Sequence, residues 1–113
     1  MWIMLSDCFL SIISKDCRPD ELVVRARRPG DIEQVFPGAK VKRDTKADYL
    51  FRAVIPRMEI ALRIAERIDD INYPNFKDSV TDDALHRAYM ATWFAMAELQ
   101  PLPPYSGAIK RIK

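Results

Sequence analysis

From Ala47 to Ile55 the chain alternates with a period of two. Tyr49, Phe51, Ala53 and Ile55 fall on one side of an extended backbone, and Leu50, Arg52 and Val54 on the other. The period then changes. Pro56 suits the first turn of a helix, and Ile60, Ala61, Ile64, Ala65, Ile68 and Ile71 recur at helical spacing. Glu59, Arg63, Glu66, Arg67 and Asp70 lie on the opposite side, where they read as a solvated face. A half-buried strand running straight into an amphipathic helix requires a sheet with a helix laid against it, and the other segments must complete that arrangement.

They supply three more strands and two more helices. Trp2–Leu5 and Phe9–Ser14 are short β-prone runs joined through Ser6-Asp7, and read as a hairpin. Their apolar residues do not alternate cleanly, so the hairpin is expected to be covered on both faces or to lie at the sheet centre. Glu21–Arg28 is the third strand, with Leu22, Val24 and Ala26 on one face and Val23, Arg25 and Arg27 on the other; Pro29-Gly30 ends it. Asp31 reads as the N-cap of a short helix through Phe36, and Ala39–Lys46 as an exposed basic loop. Thr81 reads as the cap of a last helix, with Asp82 and Asp83 in its first turn. That helix is apolar around most of its circumference: Leu85, Tyr89, Thr92, Trp93, Met96 and Leu99 form one stripe, and Met90, Phe94 and Ala97 a second.

The expected fold is therefore α+β: a mostly antiparallel four-stranded sheet with two main helices packed on one face, in the order β-β-β-α(short)-β-α-α. Residues 1–100 form one domain and 101–113 a Pro-rich basic tail. With 49% hydrophobic residues in 113, one ordinary core is within reach. Two cysteines, Cys8 and Cys17, and the single His86 make neither a disulfide framework nor a standard structural zinc site. The apolar start is interrupted by Asp7, and no uncharged run approaches the ~20 residues of a membrane helix. A soluble, cytoplasmic protein without cofactor, metal or membrane is expected.

The segments Met1-Trp2-Ile3-Met4, Phe9-Leu10-Ser11-Ile12, Val24-Arg25-Ala26-Arg27, Gly30-Asp31-Ile32-Glu33, Ala47-Asp48-Tyr49 with Arg52-Ala53, Ile71 to Val80, and Tyr89 with Trp93 are spread over about residues 1–100. In this pattern the chain resembles a family of small bacterial and phage-borne proteins to which no activity is attached. It departs from that pattern at Cys8, where glycine is expected, and in its Pro-rich end. The resemblance implies a prokaryotic setting and carriage by a mobile element, and transfers no catalytic residue.

Four groups invite a functional reading. Arg25, Arg27 and Arg52 should share the open face of the sheet, extended by Lys40, Lys42 and Arg43. Guanidinium forks there match phosphate or carboxylate, unless neighbouring Asp and Glu neutralise them. The expected register sends the aromatics into the core, which counts against base stacking and favours an acidic protein surface. Tyr73, Phe76 and Lys77 lie in the turn Ile71–Lys77, which is either a plug over the core or a recognition loop. Met90 and Phe94 are a possible interface, for a partner or a second copy, unless the tail covers them. His86 follows Asp82 by four residues and Asp83 by three, a spacing that suits a general base, but no nucleophile or phosphate loop accompanies it. With only three glycines in the chain, phosphate-cradling loops have little to be built from. The expectation is a non-catalytic protein-interaction module, such as an inhibitor or regulator of a host defence complex carried by a phage. The alternative is a small nucleic-acid-binding regulator using the arginine face.

Overall fold

In the computed structural model, which describes residues 1–101, the alternating stretch becomes an interior strand of an antiparallel sheet. The strands are β1 (Trp2–Met4), β2 (Phe9–Ile13), β3 (Glu21–Ala26), β4 (Lys42–Arg43) and β5 (Phe51–Pro56). They are ordered β1-β2-β3-β5-β4. The described helices are α1 (Asp31–Val35), α2 (Arg57–Asp69) and α3 (Asp83–Ala97), with a 3-10 turn at Lys77–Ser79. The fold is α+β as expected, but the sheet has five strands rather than four. The additional strand was hidden in the charged loop: Lys42 and Arg43 pair with Arg52 and Phe51, and an exposed edge strand needs only backbone partners. The Pro-rich tail expected from residue 101 onward lies, after Pro101, outside the described residues.

Strand parity sorts the sheet into two faces. On the inner face Leu10, Ile12, Val24, Ala26, Ala53 and Ile55 are buried under Ile32, Val35 and Phe36 of the α1 segment and Ile60 of α2. On the outer face stand Ser11, Val23, Arg25, Arg52 and Val54. The hairpin is at the edge rather than the centre of the sheet, and its turn end is covered on both sides. Ile3 and Leu5 join the inner core, while Met4 and Phe9 pack with Val80, Leu85, Tyr89 and Phe76.

Consequently the helices do not all lie on one face. α3 stands at the hairpin turn and reaches the outer side of β1 and β2. Tyr89 Oη donates to the carbonyls of Leu5 and Cys8 at 3.0 and 2.8 Å, and Arg28 ties the start of α3 to that of α1 by pairing with Asp82 (3.1 Å) and Asp31 (3.5 Å).

Two expected caps shift by one residue. Gly30, in the left-handed region at φ 88°, is the N-cap of α1, so Asp31 is the first helical residue. Its buried carboxylate turns back to accept the Phe9 N–H at 3.4 Å. The cap of α3 is Asp82, not Thr81; its Oδ1 accepts the Leu85 N–H at 2.8 Å.

In α2 only the first half of the apolar stripe is covered. Ile60 is buried and Ile64 half-buried, whereas Ile68 is 64% and Ile71 51% exposed. Arg67, expected in the solvated face, instead holds the far end of the helix. It donates to both carboxylate oxygens of Asp7, at 3.0 and 2.9 Å, and to the Gln34 carbonyl at 3.3 Å.

Candidate functional site: a basic outer sheet face

The register places Trp2, Ser11, Arg25, Arg52 and Lys42 in one row across all five strands of the outer face. Arg25 and Arg52 are direct cross-strand partners. Like charges so placed destabilise a sheet. Arg25 is partly held: its Nη2 donates to the buried Ser11 hydroxyl at 2.6 Å, and its guanidinium carbon lies 4.4 Å from the centre of the Tyr49 ring. The Arg52 side chain makes no hydrogen bond or ion pair among the described residues. In both arginines Nε is shut away from water without an acceptor. No carboxylate among the described residues neutralises this pair, although Asp16 and Asp48 line the same hollow.

That hollow is an open concavity of about 530 Å³. Its floor is apolar, from Ile13, Val23, Ala53 and Val54, and its walls carry Lys15, Arg25, Lys40, Lys42 and Arg52. Five cations therefore face two acids around this open concavity, which gives it a positive field. Arg43 does not extend the patch as expected. It pairs with Phe51, and its guanidinium lies 5.9 Å from that ring, towards the inner face.

Tyr49 corrects the expected row of inward aromatics. It precedes β5, in a bend closed by Asp44 N–H to the Leu50 carbonyl at 2.8 Å, so the strand's parity does not extend to it. Its ring is buried beneath Arg25 and Arg27, whose guanidinium carbons lie 4.4 and 4.2 Å from its centre. Arg27 also donates to the Asp48 carbonyl at 3.1 Å. Trp2, which sequence reasoning did not single out, is 71% exposed at the end of the arginine row. Its parity was readable once Ile3 is assigned to the core.

The other candidate residues lie elsewhere. Asn75 Oδ1 accepts the Lys77 N–H at 2.9 Å, the side-chain turn expected of Asn here. Tyr73 packs on Phe76 (5.8 Å between ring centres) and Phe76 on Tyr89 (5.4 Å), so these aromatics brace α3. Lys77 Nζ lies over the Trp93 ring at 4.6 Å. Met90 is half-buried and Phe94 61% exposed on α3. His86 gains no carboxylate from Asp82, whose Oδ1 takes the Leu85 N–H and the Arg28 guanidinium.

Electrostatics follow the packing. Burial pushes the Asp31 carboxyl above its ordinary value, and Phe9 and Arg28 offset only part of this. Burial also raises the Cys8 thiol and the Tyr89 phenol. Burial acts on Asp7 in the same sense, but the Arg67 hydrogen bonds and charge outweigh it and hold that carboxyl below its ordinary value. Among the described residues no cluster of three His, Cys, Asp or Glu could hold a metal ion, and no helix is long and apolar enough to cross a membrane. No protein-family model, no curated protein and no solved structure matches the chain.

Proposed function

We propose that this chain is a non-catalytic interaction module that docks its preformed basic sheet face onto an anionic macromolecular partner. One observation carries the reading: Arg25 and Arg52 stand side by side on the outer face, and among the described residues no acid pairs with either. Such a pair costs stability in the free protein, through like-charge repulsion and through donors kept from water. An anion held between the two guanidinium groups cancels the repulsion by accepting from their outer Nη donors, while the enclosed Nε groups stay out of its reach. Arg27, Lys40 and Lys42 widen the field that steers the partner in. The resemblance to phage-borne proteins suggests an inhibitor or regulator that occupies a site on a host complex.

Affinity capture from a bacterial host, with proteins and nucleic acids both identified, tests this reading. A partner held by the wild-type chain is expected to be lost by the Arg25→Glu/Arg52→Glu variant, with circular dichroism verifying that the variant is folded. Undiminished capture contradicts the reading.

A further inference from the structure

We propose that the partner is single-stranded nucleic acid, with phosphates on Arg25 and Arg52 and a base in the cleft beneath α3. This deepens the anion-docking reading and depends on it.

Two hollows with no lining residue in common lie on the outer side of the sheet, one bordered by β3 and the other by the residues just past its end. Arg25 lines the basic concavity. Arg27, on the same face about 7 Å further along, lines a second cleft of about 280 Å³. That cleft is mostly apolar, walled by Trp2, Met4 and Phe9 of the hairpin and Leu85 and Ala88 of α3, with the Arg28–Asp31 pair also lining it. Trp2 leans on Phe9 edge-on, at 6.3 Å between ring centres, yet keeps most of its surface open. A ligand filling both hollows must carry a negative group beside a flat apolar one. Each unit of a nucleic-acid strand carries that combination.

Tyr49 reinforces the assignment. Its ring supports the guanidiniums of Arg25 and Arg27, and a supported guanidinium plane is itself a stacking surface for a base. A duplex keeps its bases stacked inside and offers nothing to Trp2 or to the cleft. An acidic protein would match the cations, and Trp is also common at protein hot spots, so the polyglutamate arm of the test below separates the two partners.

The test is fluorescence anisotropy with the full chain and three labelled probes: a 12-nucleotide oligothymidine strand, a hairpin duplex and a polyglutamate peptide. Each is measured at low and moderate salt. The single strand is expected to bind tightest and to weaken as salt rises. Trp2→Ala should weaken it about 5-fold or more, with Trp2→Phe restoring part of the loss. Arg52→Met should lower the salt slope by about 0.7, the contribution of one phosphate contact. Trp2 is exposed, so its removal should leave the circular dichroism spectrum unchanged. Polyglutamate binding as tightly as the strand, or a Trp2→Ala variant with unchanged strand affinity, would overturn the nucleic-acid assignment while leaving the anion-docking reading in place. A duplex bound as tightly as the single strand would overturn the single-strand assignment. Failure of both the strand and polyglutamate to bind would overturn both readings.

Discussion

The Tyr89 phenol reaches from α3 to two carbonyls of the first hairpin turn, those of Leu5 and Cys8. It is the point at which α3 is bolted to the sheet, because Leu85 and Tyr89 are the only buried members of that helix among the described residues. Tyr89→Phe keeps the ring contact with Phe76 and removes only the hydroxyl. It is expected to destabilise the protein by about 1–2 kcal/mol, the cost of removing the hydroxyl donor from the Leu5 carbonyl, since the Cys8 carbonyl keeps the Leu5 N–H at 2.9 Å. Urea unfolding checks this. A change within about 0.5 kcal/mol would mean that α3 is held by apolar contact alone.

The Asp7–Arg67 pair should appear as an acid-sensitive contribution to stability. Asp7 titrates below its ordinary value of 3.8 in the folded chain, so the unfolded chain takes up its proton first as pH falls. The stabilisation is fully present above the unfolded value and disappears as pH drops through the folded one. At neutral pH Asp7→Asn is expected to cost about 0.5–1 kcal/mol, since the pair is partly exposed. The difference between the two proteins should shrink to nothing below the folded Asp7 value. Asp31, raised by burial and further by the Asp7 charge, is shifted less in the variant, so its titration is followed alongside. A difference independent of pH would place the effect elsewhere than in this ion pair.

The two cysteines should separate cleanly under a thiol reagent. Cys8 is wholly buried, and burial together with the adjacent Asp7 charge disfavours its thiolate. Cys17 is half-buried in the bend before β3, where its thiol donates to the Glu21 carbonyl at 3.4 Å. Titration with an aromatic disulfide is expected to modify Cys17 in the native protein and Cys8 only in urea. Rapid native modification of Cys8 would contradict the packing of the hairpin turn.

Much of this architecture was readable from period alone. The outward parity of Arg25 and Arg52 followed from the inward parity of Val24 and Ala53, since a strand leaves no third choice. Tyr49 was misread because alternation was carried past the true start of β5 into a bend. The uncovered end of α2 was illegible for another reason. An amphipathic pattern says which residues would be buried, not whether a cover is there, and a helix of about 20 Å reaches beyond the core that shelters Ile60. The same limit hid the placement of α3 on the outer side of the hairpin. Arg67 gave no sign in sequence, because its partner Asp7 lies sixty residues away. Trp2 was passed over because the hairpin's apolar residues alternate poorly, which masked its parity.

The central claim is that the Arg25–Arg52 juxtaposition is kept for a ligand and at a cost to the free fold. The most direct measurement is the unfolding free energy of Arg52→Met against wild type, paired with the affinity of each for the oligothymidine strand. Methionine keeps an apolar stem and removes the charge and the unmet Nε donor. The account predicts a variant more stable by about 0.5–1 kcal/mol that binds the strand more weakly. A variant that is less stable and binds as well as wild type would show the arginine to be structural and would contradict the account.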